Sequence, residues 1–199
     1  MPRPSLATRT ATDDDIPVLI GLWQELKQVG ARAERAVNPV TTPDIAERLA
    51  RAIRGDECRV VVAFADNTPV GMAVFRSIQP DPLSDSRVLQ MSHLVVRDAV
   101  RRRGVGHALI AAGADIAQEL GIEHVGVGVY PSLRDASRFY ARLGFAQLTV
   151  QRVAPVTALR RRLVADQPAR LDEGIRRRAR IRRPVPAQRV VRRTGTPVE

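Results

Sequence analysis

Between Arg87 and Gly121 the sequence changes its hydrophobic period once, and that change leaves the chain little freedom there. Arg87 to Val96 is rich in apolar and β-branched residues and reads as a strand. From Val105 onward, Ala108, Leu109, Ala112, Ile116 and Leu120 recur at helical spacing, with Gly121 placed to end the helix. The join is Arg101-Arg102-Arg103-Gly104-Val105-Gly106. Glycines at such a join let successive backbone N–H groups face an anion, at the end of a helix whose dipole favours negative charge. By itself Gly-x-Gly also fits a plain helix cap. The chain lacks the third glycine of a dinucleotide fingerprint and the Gly-Lys-Ser/Thr of a P-loop, so a Mg-nucleotide site has poor support. The arginines add positive potential that suits a multiply phosphorylated ligand.

The flanking segments frame this unit. Thr12 with Asp15 resembles a capping box before Ile16, Leu19, Ile20, Trp23 and Leu26, which predicts a first helix. Thr42-Pro43 opens a second helix carrying Ile45, Leu49 and Ile53, and Gly55 ends it. Arg59 to Ala65 and Val70 to Ile78 flank the turn Asp66-Asn67-Thr68-Pro69 and predict an antiparallel hairpin. His124 to Val129 predicts a strand, and Ser132 with Asp135 a cap for a helix carrying Ala136, Phe139, Tyr140 and Leu143 up to Gly144. Two more strands are expected, Phe145 to Val153 and Ala158 to Val164. The order predicts an α/β (α+β) fold, a mixed sheet with helices on both faces.

Charge is unevenly distributed. Of the formal net charge of +11, residues 166–199 carry +6, from ten arginines against four acids. That tail has Pro184, Pro186 and Pro197 and no aromatic residue on which a base could stack, so it reads as an Arg-rich extension making at most nonspecific electrostatic contact with nucleic acid. Aromatics make up 4% of the chain, so the core rests on Val, Leu, Ile and Ala. The single cysteine, Cys58, is expected to pack in an apolar strand, and a lone cysteine forms no disulfide within the chain, which favours a cytoplasmic setting. No run approaches the roughly 20 apolar residues that span a bilayer, so no membrane partner is expected.

Val96-Arg97-Asp98-Ala99-Val100-Arg101-Arg102-Arg103-Gly104-Val105-Gly106, followed by Ala108-Leu109, resembles the acyl-CoA pyrophosphate loop of the GNAT superfamily of N-acyltransferases. Phe139-Tyr140-Ala141-Arg142-Leu143-Gly144-Phe145 resembles that family's second landmark, at the expected separation. The resemblance runs from Leu6 to Val164. It implies a GNAT-like, mostly antiparallel sheet with one parallel pair splayed around the CoA site, a domain over residues 1–165 and the tail 166–199 outside it.

The resemblance further implies that acetyl-CoA lies between the strand ending at Val96 and the strand ending at Val129, as co-substrate and with no metal. Backbone groups of Arg102, Arg103, Gly104, Val105, Gly106 and His107 would hold the pyrophosphate, with Arg101 beside them, and those of Leu94, Val95 and Val96 would pair with the pantetheine arm. Gly104 and Gly106 would permit close approach, which a Cβ would block. Tyr140 would be the acid for the CoA thiolate. The family often has a carboxylate or histidine where this chain has Gln90 and Ser92, neither of which titrates usefully. His93 could serve as base, but strict alternation puts it on the opposite face from Ser92 unless a bulge re-aims it. Leu133 stands where the family usually shows an Asn that helps hold the CoA arm.

The function expected is N-acetyl transfer from acetyl-CoA to a primary amine of a small molecule or protein, by direct attack. The acceptor is expected between Lys27–Thr41, Pro80–Ser86 and the region after Gly144. Two other classes stay open: a non-catalytic acyl-CoA-binding sensor, and a nucleic-acid-associated protein using the tail. C-terminal strands of such folds often pair across dimers, which leaves a homodimer open.

Overall fold

The computed structural model describes residues 5–29, 42–130 and 132–165. They divide into two units, one through Ala146 and the other from Gln147. The Arg-rich tail after Ala165, and residues 30–41 of the expected acceptor loop, lie outside the described residues.

The first unit is a five-stranded sheet in the order β1-β2-β3-β4-β5, with β1 Leu6–Thr10, β2 Arg59–Ala65, β3 Thr68–Ile78, β4 Val88–Val96 and β5 His124–Val127. Neighbours pair antiparallel except β4 with β5, which run parallel. Helices α1 (Ile16–Val29) and α2 (Thr42–Arg54) cover one face, and α3 (Val105–Glu119) and α4 (Arg134–Arg142) serve the other. Strand alternation distributes the core between them. Val60 and Val62 join Leu19, Leu22, Trp23, Ile45 and Leu49, while Val61 and Ala63 join Val105, Leu109 and Ile116. Each such Val, Leu or Ile contributes about 1.5–3 kcal/mol when fully buried. No described helix is long and apolar enough to cross a membrane.

Local chemistry sets the ends of these elements. Before α1, the Asp15 carboxylate accepts the Thr12 N–H at 2.7 Å, the carboxylate half of the expected capping box. It also accepts two hydrogen bonds from the Arg9 guanidinium, at 2.7 and 2.9 Å, which tie β1 to the start of α1. In the hairpin, Asp66 and Asn67 both have positive φ, 48° and 63°. Two such residues suffice for a tight turn, so β3 starts at Thr68, earlier than the expected Val70. Pro69, which has no N–H to give, sits opposite Phe64 where the register shifts.

Several expected features differ in the structure. Cys58 lies just before β2, half-buried, rather than inside the strand. The helix α4 begins one residue late, with Leu133 rather than Ser132 at its N-cap and no side-chain cap. Leu120, expected on the buried face of α3, is exposed at that helix's C-cap. Phe145 to Val153 is not a strand. Its N–H groups begin by closing α4, where Phe145 N–H donates to the Tyr140 carbonyl at 3.1 Å, and the apolar Leu148, Val150 and Val153 are exposed. Apolar residues make a strand only where a neighbour completes the ladder, and among the described residues none does. The second unit holds α5 (Val156–Ala165) in place of the strand expected over Ala158 to Val164. Three successive arginines, Arg160 to Arg162, would put charge on both faces of a strand, but Leu, Ala and Arg are strong helix formers. The Leu159 N–H donates to the Pro155 carbonyl at 3.0 Å as that helix opens.

Candidate active site

The site forms where β4 and β5 part. Their pairing covers only Val88 to Met91 with His124 to Val127. Beyond that point the β5-facing edge of β4, from Ser92 to Val96, has no ladder partner among the described residues, and apart from the Val96 carbonyl, which Arg101 takes, its backbone groups are left for another partner. This also accounts for β5 ending at Val127, short of the expected Val129.

The parting coincides with a bulge. Val74 pairs with Ser92 and Met72 with Val95, so Ala73 alone faces His93 and Leu94. His93 takes up the extra residue at φ 51°, a left-handed conformation that histidine adopts more readily than most side chains. The face parity switches across it. Leu89 and Met91 belong to the core on the α3 side, Val95 belongs to the opposite core, and Leu94 and Val96 pack back on the α3 side. The bulge brings the His93 ring and Ser92 together after all: His93 Nδ1 lies 3.0 Å from Ser92 Oγ, and that hydroxyl also donates to the Val74 carbonyl at 3.4 Å.

At the end of β4 the chain turns through Arg97–Gly104 into α3. Gly104 caps the helix at φ 92°, and the Ala108 N–H to Gly104 carbonyl bond, 3.0 Å, is the helix's opening hydrogen bond. Amides before Ala108 therefore have no intrahelical acceptor and point out of the helix end. Arg102, itself at φ 63°, and Arg103 are exposed beside them. Arg101 is turned elsewhere, its guanidinium on the Val96 carbonyl at 3.3 Å and on Asp98 at 2.7 Å. The two glycines have different duties. Gly104 is required by its backbone angle, whereas a Cβ on Gly106 would come within 3.2 Å of Phe139 Cζ, so Gly106 admits α4 against the first turn of α3.

That contact places Tyr140. Phe139 meets His107 edge-on at 5.2 Å between centroids, Tyr140 lies 5.3 Å from Phe139, and Phe145 meets Tyr140 at 5.5 Å. Tyr140 is buried in the core that holds Met91 and Val105 and against which Val127 and Val129 pack. Burial pushes its phenol up to about 12, so it keeps its proton at any working pH.

The model of the Acetyltransferase (GNAT) family matches residues 23–145. The chain belongs to the GNAT family. No curated protein matches it in sequence. Solved structures share the GNAT fold at low identity. An aminoglycoside N-acetyltransferase in complex with CoA aligns at TM-score 0.65 and 18% identity, over 78% of this chain and 97% of that one. The ribosomal-protein-alanine N-acetyltransferase of Brucella melitensis biovar Abortus 2308 aligns at TM-score 0.60 and 20% identity, over 76% and 99%. Glucosamine-6-phosphate N-acetyltransferase of Arabidopsis thaliana aligns at TM-score 0.58 and 15% identity, over 76% and 99%. As a GNAT protein the chain is an acyltransferase, and its residues fit an acyl-CoA. The unpaired edge of β4 offers backbone partners for an amide-containing arm, and the outward amides of α3 with Arg102 and Arg103 suit a diphosphate.

Two features escaped the sequence. Gln90, on the strand face shared with Ser92, reaches across β5: its Oε1 lies 2.8 Å from where a Cβ on Gly126 would stand, and its Nε2 lies 4.0 Å from the same position on Gly128. The alternation Gly126, Gly128 inside a valine strand was the legible signal. Gly113, in mid-helix α3, is the seat of the Phe75 ring.

Proposed function

We propose that this GNAT protein transfers an acetyl group from acetyl-CoA to a primary amine by direct attack in a ternary complex. The observation that carries this reading is the parting of β4 from β5 beside the outward amides of α3, with a buried protonated phenol packed at the same junction. Acetyl-CoA supplies an activated acyl carbonyl; the C–N bond to the acceptor forms as the C–S bond breaks.

The chain's own residues divide the remaining tasks. Amides of Gly104, Val105, Gly106 and His107 hold the diphosphate, and backbone groups of Leu94, Val95 and Val96 align the pantetheine arm and polarise the carbonyl. Tyr140 acts on the departing sulfur. An alkyl thiol titrates below a phenol held at about 12, so complete proton transfer from Tyr140 is uphill. Tyr140 therefore stabilises the sulfur chiefly by a hydrogen bond that strengthens as negative charge develops. On the acceptor side, His93 with Ser92 takes the ammonium proton, since neither Gln90 nor Ser92 titrates in the useful range.

Thiol release from acetyl-CoA by the purified full chain, measured across a panel of primary amines, tests this reading. Amine-dependent release above hydrolysis is expected. Tight CoA binding with no amine raising release would favour a non-catalytic acyl-CoA sensor instead.

A further inference from the structure

The acceptor side of the site carries a pattern of its own. On the sheet face shared by Gln90 and Ser92, the registers of β3, β4 and β5 line up in rows: Ile78, Val88 and His124; then Arg76, Gln90 and Gly126. Val74 and Ser92 form the next row, at the bulge. Residues opposite one another across paired strands share a face, with Cβ atoms about 5 Å apart. None of these side chains is a carboxylate. A ligand beside the bulge would meet the Ser92 hydroxyl and, one row farther along, the Gln90 amide on β4 with the Arg76 guanidinium opposite it on β3.

Gly126 decides how that surface is used. A Cβ there would collide with Gln90 Oε1 at 2.8 Å and with Val88 Cγ1 at 3.0 Å. With glycine, Gln90 lies flat over β5 and its amide reaches toward Gly128, past Val127, the last residue paired to β4. The Gln90 Nε2 is held by the Met91 carbonyl at 3.5 Å, which leaves Oε1 to accept from an N–H. Beside it, Arg76 has one acidic contact among the described residues, to Glu57 at 3.8 Å, between side chains 60% and 86% exposed. A pair so long and so exposed holds little energy, and the guanidinium keeps donors for another anion.

We infer that the acceptor is a small amine that also carries an anionic group, a carboxylate or a phosphate, with its N–H on Gln90 beside Ser92 and its anion on Arg76. This rests on the acetyl-transfer reading above. The rows are about 7 Å apart along the strand, within reach of an arginine side chain, so a compact amino acid or a phosphorylated amino sugar spans them. A polycationic acceptor is disfavoured by the same rows, whose one charged side chain is Arg76.

The experiment compares kcat/KM for acetyl-CoA-dependent acetylation of paired amines: an amino acid against its methyl ester, and an amino sugar phosphate against the free amino sugar. At least one anionic member is expected to exceed its neutral twin by ten-fold or more, and the pair that responds identifies carboxylate or phosphate. In R76A that ratio should collapse toward one, in R76K it should be partly retained, and acetyl-CoA affinity should not change in either. Neutral twins that are acetylated as well as the anionic ones, or a preference that survives in R76A, would overturn the assignment while leaving acetyl transfer intact. Acetyl-CoA binding without turnover of any amine would overturn both.

Discussion

At the scale of single residues, the proposed site rests on a few backbone angles and one buried hydroxyl. Gly104 sits at φ 92°, and a Cβ there would meet only Leu6 Cδ1, at an ordinary contact distance of 3.4 Å, so its role is conformational. Gly104→Val should cost about 1–3 kcal/mol in local strain, misdirect the amides that follow, and raise the KM for acetyl-CoA at least ten-fold in steady-state assays. Tyr140→Phe removes a hydrogen bond to a developing charge, worth about 1.5–3 kcal/mol, so kcat should fall by roughly 10- to 100-fold with the acetyl-CoA KM little altered. Because burial pushes the phenol up to about 12, the pH profile should show no loss of activity from Tyr140 below pH 11. The glycine turn, the helix that carries Tyr140 and the parity problem at His93 were legible in the sequence, since each depends on residue type and spacing. That a bulge exists, and that it seats His93 Nδ1 on Ser92 Oγ, depends on how β3 pairs with β4. Pairing between strands ten residues apart in sequence leaves no local mark.

At the scale of elements, close contacts set what can be substituted. In an exposed helix, glycine to alanine would stabilise by up to about 1 kcal/mol. At Gly113 a methyl group would meet the Phe75 ring, so Gly113→Ala should instead lower the melting temperature, and a Gly113→Ala, Phe75→Leu double variant should recover part of the loss. The start of α1 rests on Asp15, whose carboxyl is held below the usual carboxylate range chiefly by its hydrogen bonds from Arg9. A lowered folded-state value means that this stabilisation is complete above the unfolded value near 3.9 and is lost as pH falls through the folded one. Asp15→Asn should therefore destabilise by about 1–3 kcal/mol at pH 7, measured by denaturant unfolding, with the difference from wild type shrinking below about pH 4. Most elements of the first unit were legible because each carries its own period or cap. Phe145–Val153 and Ala158–Val164 were misread for opposite reasons: the first has a strand's apolar residues without a partner, and the second has helix formers whose short apolar run mimics a strand.

At the scale of the whole chain, the GNAT fold converts topology into a binding site. Four antiparallel pairings would leave a closed sheet; making the last one parallel and stopping it at Met91 and Val127 opens the edge of β4 beside the start of α3. One opening thereby leaves backbone groups that suit an amide arm beside amides that suit a diphosphate, and the acceptor we infer lies on the neighbouring sheet face that carries Gln90 and Arg76. Isothermal titration of the full chain with acetyl-CoA and with S-acetyl-pantetheine, which lacks the diphosphate, tests the donor site most directly. Acetyl-CoA should bind about 100-fold tighter or more, the equivalent of one or two charge-assisted hydrogen bonds, and Gly104→Val should erase most of that advantage. Equal affinity for the two ligands, or an advantage untouched by Gly104→Val, would contradict it.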